Sequence, residues 1–186
     1  MILLNVMMIE RILPVFIAFI LGVATIWIKE WATKRLQVAS TRKALAELCS
    51  LEFAEYPLYT SHVQLLRDNK LRLAIHVDFP EEIPDLLSSL LISDLKRVQE
   101  YSFMIANYRI LKSIVQQIDS LSDSSEEHTR LELASLLEYR LACVAFDHGL
   151  YVKNYSCKRA ASLCSEARGQ LDATIQSLKA KGMPWP

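Results

Sequence analysis

Glycine and proline are scarce, with four and six in 186 residues. Folds of many short strands joined by tight turns use both freely, so their scarcity argues against all-β and for long helices. An excess of charge of one sign is also lacking. The 21 basic and 21 acidic residues cancel, which removes the broad basic surface expected of a nucleic-acid-binding protein. Four cysteines, Cys49, Cys143, Cys157 and Cys164, do not make a disulfide framework. His62, His76, His128 and His148 show neither HExxH nor Cys/His zinc spacing, and no ExxH supplies the ligands of a di-iron bundle. Glycine-rich phosphate loops and the GxSxG turn are missing too. The sequence therefore assigns no catalytic residue, cofactor or metal.

What it does have is one long hydrophobic run. Residues 12–28, ILPVFIAFILGVATIWI, carry no charge and a single polar side chain, Thr25. As a helix these residues extend about 25 Å, near the short end of what a bilayer core requires. Trp27 and Trp31 fall at the edge of the run, where indole rings favour the headgroup layer, and Lys29 can reach the same level. Lys34 and Arg35 continue this interfacial set. Pro14 is expected in the first helical turn, where a missing amide donor is tolerated. The preceding MILLNVMMI either extends the apolar helix or lies along the surface, and Met7 and Met8 are alternative starts. Two competing readings are a buried core helix and a signal peptide cut near Gly22-Val23-Ala24. Against the second, Glu10 beside Arg11 leaves the preceding region without clear positive charge.

Charge sets the orientation. Lys29, Lys34, Arg35, Arg42 and Lys43 follow the run against one acid, Glu30, whereas only Arg11 and the terminal amine precede it. The positive-inside rule then places the C-terminal part in the cytoplasm. Residues 44–186 carry 15 basic and 19 acidic groups, so the basic collar stands out locally and suits anionic headgroups.

The expected fold is all-α: a short segment over residues 1–11, a transmembrane helix over 12–28, a basic stalk helix over 29–56, a bundle of three or four long helices over 57–182, and a tail over 183–186. Leu36, Ala44, Leu48 and Leu51 mark the apolar side of the stalk, and Pro57 ends it. Leu71, Leu73, Ile75, Val77 and Phe79 alternate with polar or small residues, a strand-like period with no visible partner strand, so both strand and helix stay open there. FPEEIPD starts a helix whose apolar face, from Leu91 through Leu95, Val98, Tyr101, Ile105, Tyr108, Leu111 and Val115 to Ile118, continues for about eight turns. LSDSSEEH is a solvated link, with Ser124 or Ser125 as the cap. One last helix is expected from Glu126 to Ala180, kinked near Gly149 and stopped at Gly182.

Within that last helix Cys143, Cys157 and Cys164 recur every seven residues in the register of Leu136, Leu150, Leu171 and Leu178, so they are expected in a core seam as small hydrophobes. Asp147 and His148 could form an acid–base pair, but exposed polar residues beside Gly149 are the simpler account. Tyr101, Tyr108, Tyr139, Tyr151 and Tyr155 are spaced for packing. Two features suit assembly: Ala18 and Gly22, a small-xxx-small pair for close helix–helix contact, and Trp185 in the tail, a candidate docking residue competing with simple fraying.

The run followed by KEWATKRLQVASTRKALAEL and then LLSSLLISDLKRVQEYSFMIANYRILKSI resembles a loose group of uncharacterised bacterial single-pass membrane proteins with a basic juxtamembrane helix and a helical bundle. The resemblance covers residues 10–118, implies an inner-membrane location, and implies no activity. The expectation is a non-enzymatic, membrane-anchored interaction or scaffold module, an accessory or sensor component. Its partners would be the lipid bilayer and a protein or second copy, not nucleic acid. The alternative is an effector that oligomerises through its anchor and permeabilises the bilayer.

Overall fold

The computed structural model describes residues 2–68, 82–121, 127–155 and 165–183, with side chains of residues 2–12 and 155 excepted. The described residues are helical, with no strand. In order they form α1 (Ile2–Ala54), α2 (Tyr56–Arg67), α3 (Glu82–Ser93), a 3-10 turn (Leu95–Arg97), α4 (Val98–Asp119), α5 (Glu127–Tyr155) and α6 (Ser165–Ala180). The alternating segment 71–79, the capping serines Ser124 and Ser125, Cys157, Cys164 and Trp185 lie outside the described residues. The chain divides into two compact units, residues 1–40 and 41–186.

The first unit is the N-terminal part of α1. This helix already begins at Ile2, so Pro14 sits inside it and not in its first turn. Pro14 has no N–H to offer the Glu10 carbonyl four residues back, one lost bond in an otherwise regular ladder. Side chains from Leu13 through Ile28 are exposed, and none of the most apolar window is buried. By length and composition this is the one described helix able to cross a membrane.

The second unit is a helical bundle that includes the last turns of α1. Here the buried face is Leu45, Ala46, Cys49 and Phe53. Leu36 and Leu51, expected on the apolar side, are exposed, so the true stripe is displaced around the helix. α1 ends at Ala54, and Pro57 occupies the first turn of α2, where its fixed φ costs no hydrogen bond. α2 buries Tyr56, Tyr59, Val63 and Leu66 at three- and four-residue steps.

The eight-turn helix expected across 91–118 is broken. α3 stops at Ser93, Asp94 takes a non-helical backbone (φ −125°, ψ 69°), and the 3-10 turn leads into α4. Tyr101, Met104, Tyr108, Leu111, Ile114 and Ile118 form the buried face of α4, whereas Leu95 faces outward. The expected single helix from 126 to 180 is likewise not continuous: its described residues fall in α5 and α6. α6 doubles back on α5, since the Lys181 ammonium lies 3.6 Å from the Glu138 carboxylate and Gln170 hydrogen-bonds Thr60. α5 runs without interruption through Gly149. Its buried stripe is Leu133, Ala134, Leu137, Leu141, Val144, Ala145, His148, Tyr151 and Val152; of the expected seam Leu136 and Leu150 are exposed, whereas Cys143, and Leu171 and Leu178 on α6, are buried as expected. α6 ends as anticipated at Gly182, whose φ of 74° permits bonds from Gly182 N–H to Lys179 and from Met183 N–H to Leu178 carbonyls.

Candidate functional site

Three places carry features beyond packing. The first is the segment around the end of the apolar run. Trp27 and Trp31 are exposed, as are Lys29, Lys34 and Arg35. The Arg35 guanidinium stacks 4.2 Å from the Trp31 ring centroid, a cation–π pair that keeps an aromatic ring and a charge together at one level of the helix. Within the run, the Thr25 hydroxyl donates to the Leu21 carbonyl at 2.7 Å. The lone polar side chain thus satisfies its donor within the helix. Ala18 and Gly22 are exposed on this helix, and a Cβ at Gly22 would meet nothing within 4 Å.

The second is a polar cluster inside the bundle. His148, which retains 2% of its surface, pairs through Nε2 with the Tyr108 hydroxyl at 2.7 Å. Next to it in sequence, Asp147 accepts from the Asn107 amide at 2.8 Å, and Asn107 accepts from Arg140 at 3.3 Å. Asp147 and His148 therefore face separate partners on α4 and do not form an acid–base pair. They are not a solvated pair beside a kink either. The Tyr59 hydroxyl lies 2.9 Å from Glu52 and 3.2 Å from Glu55, donating toward both carboxylates. Glu52, Tyr56, Tyr59 and His148 line a cavity of about 10 Å³ with Leu141, Val144 and Ala145, the size of one water molecule.

Burial dominates the electrostatics here. It pushes the Glu52 carboxyl up to about 7, assisted by Glu55 and opposed by the Tyr59 bond. It pushes Asp147 up to about 6 against the Asn107 bond, and holds His148 down at about 3, so the imidazole is neutral. The Cys49 and Cys143 thiols are free and buried, and burial raises both above their ordinary range. Among the described residues no three His, Cys, Asp or Glu side chains converge as metal ligands would.

The third is the corner between α3 and α4. Arg42 Nε donates to Asp94 Oδ2 at 2.9 Å, its terminal nitrogen contacts the same oxygen, and the Tyr101 hydroxyl donates to that oxygen at 2.7 Å. Burial alone would raise the Asp94 carboxyl, but the Arg42 and Tyr101 bonds hold it below its ordinary value. On either side of this buried carboxylate, Ile92 and Leu95 are 81% and 79% exposed. The sequence reading missed both the buried cluster and this corner. The available signal was period: His148 falls in step with Leu137, Leu141 and Val144 on the buried stripe of α5.

The chain matches no family model, and no curated protein or solved structure matches it significantly.

Proposed function

We propose that the chain is a single-pass membrane protein of the bacterial inner membrane whose α1 carries the transmembrane span and whose bundle, on the cytoplasmic side, acts by contact with a protein partner or a second copy. The role is that of a scaffold, accessory or sensor component, without enzymatic activity. The observation that carries the reading is the exposure of every side chain from Leu13 through Ile28. Such a face is unfavourable in water and suited to hydrocarbon. Trp27, Trp31, Lys29, Lys34 and Arg35 follow where headgroups would lie. For contact through the bundle, the support is its exposed apolar side chains, among them Phe103 and Ile110 on α4 and Leu131 on α5.

Crosslinking in native membranes followed by mass spectrometry tests this. The reading expects a second copy or a distinct protein captured through residues 41–183. A monomer with no captured partner that turns over a small molecule would defeat it. The effector reading is favoured by the open face at Ala18 and Gly22. It expects expression of the chain to depolarise cells, and Ala18→Leu with Gly22→Leu to abolish that depolarisation.

A further inference from the structure

We propose that the α3–α4 corner, through Ile92 and Leu95, inserts into the interfacial layer of the same membrane that α1 enters, at an anionic lipid surface. This rests on the anchor reading above. Ile92 and Leu95 are the most exposed large apolar side chains among the described residues of 41–183. They are held in place, not left on a free loop. The Asp94 amide donates to Leu90 O at 2.8 Å, and the Arg97 amide donates to Asp94 O at 3.1 Å, which fixes the turn that presents them. Beneath them, Asp94 is tied to Arg42 and Tyr101.

Arg42 is the second residue of the bundle unit, so the corner sits at the end of the bundle where the chain enters it. The opposite end is marked by Arg130, whose guanidinium donates to the carbonyls of Leu66 and Arg67 at the close of α2. Only ten residues of chain lie between Trp31 and Arg42, so the connection from anchor to bundle is short. With an anchored chain, a lipid surface is therefore the partner that covalent connection keeps beside this corner, and tethering makes a small apolar contact sufficient.

Charge agrees with that occupant. Asp94 is countered by Arg42, and Glu100 by Arg97 at 2.7 Å. Lys96 is exposed next to Leu95, while Lys43, also exposed, lies 3.9 Å from the Glu47 carboxylate one turn further along α1. With these pairs balanced, Lys96 leaves the corner with an excess of one positive charge beside its apolar tips, which matches anionic headgroups over acyl chains.

The test uses the full chain in phosphatidylcholine–phosphatidylglycerol vesicles containing lipid brominated near the headgroup end of the acyl chains. Three single-tryptophan proteins are compared. One keeps Trp31 alone, through Trp27→Phe and Trp185→Phe. The others replace all three native tryptophans by Phe and carry either Leu95→Trp or Leu131→Trp. The expected result is loss of emission for Trp31 and for Leu95→Trp, the latter also blue-shifted, with no loss for Leu131→Trp at the far end. Quenching of Trp31 without Leu95→Trp overturns the corner contact and leaves the anchor standing. Quenching of both Leu95→Trp and Leu131→Trp overturns it as well, because the bundle would then lie on lipid without a preferred face. No quenching of Trp31 removes the anchor reading, and the corner inference with it.

Discussion

The Tyr108 hydroxyl and Nε2 of His148 lie 2.7 Å apart, joining α4 to α5 at a point from which solvent is excluded. Among the described residues, this hydroxyl is the partner that satisfies Nε2 of the neutral imidazole. Tyr108→Phe removes the hydroxyl while leaving the ring, so the expected loss is about 1–3 kcal/mol, the cost of a buried polar group left unpaired. Urea denaturation of purified protein measures it. A change below about 0.5 kcal/mol would mean that His148 finds another partner or a water.

Stability should have an acid optimum. Glu52, ordinarily at 4.5, is raised to about 7, and Asp147, ordinarily at 3.8, to about 6. Each is raised on folding, so its stabilising contribution is complete below the ordinary value and is lost as pH rises through the folded value. His148 runs the other way. Its folded value of about 3 lies below the ordinary 6.5, so its contribution is present above 6.5 and is lost as pH falls toward 3. The two carboxyls outweigh the one imidazole between about pH 4.5 and 6, while below about pH 4 only the loss at His148 continues, joined by Asp94. Melting temperature should therefore rise from pH 8 to about 5 and fall below about 4. Glu52→Gln, which retains an acceptor for Tyr59, should flatten the upper part of the rise. A melting temperature highest at pH 8 contradicts this account.

Helical class was legible because glycine and proline are scarce, and the stop at Gly182 and the turn at Pro57 were legible because each residue has a local backbone reason to be there. The break at Asp94 was not. Its determinant is Arg42, 52 residues away, which holds the carboxylate at the corner, and periodicity within one segment cannot register such a partner. The buried stripe of α5 was misplaced at Leu136 and Leu150, though not at Cys143, for a related reason. A histidine counts as surface when polarity alone is read, yet Tyr108 on another helix supplies the bond that lets His148 be buried. Leu136 and Leu150 then looked like the better seam.

Gly149 gives a prediction whose sign separates a kink from a packed helix. A Cβ there would meet Phe53 Cζ at 3.5 Å and Cε2 at 3.6 Å, ordinary contact distances, and α5 is continuous through it. Gly149→Ala should accordingly stabilise the bundle by about 0.5–1 kcal/mol, through the lower entropy of the unfolded chain and better helix propensity. Chemical denaturation checks this, and destabilisation would indicate that the chain needs the conformational freedom of glycine at that position.

Topology offers the sharpest test of the anchor. Five basic residues, Lys29, Lys34, Arg35, Arg42 and Lys43, follow the apolar run within fifteen positions, and one acid, Glu30, lies among them. Basic residues close to a span resist translocation, whereas acids weigh little. A fluorescent protein fused after Pro186 should therefore be active in a bacterial host, and alkaline phosphatase at the same position inactive. Replacing Lys29, Lys34 and Arg35 together by Gln, while adding lysines before Arg11, should shift both signals toward the opposite orientation. If the original fusions already give an active phosphatase and a dark fluorophore, the bundle is outside the cytoplasm. A mature chain beginning near Thr25 would mean instead that the run is a cleaved signal, and the membrane contact at Ile92 and Leu95 would then have no tether.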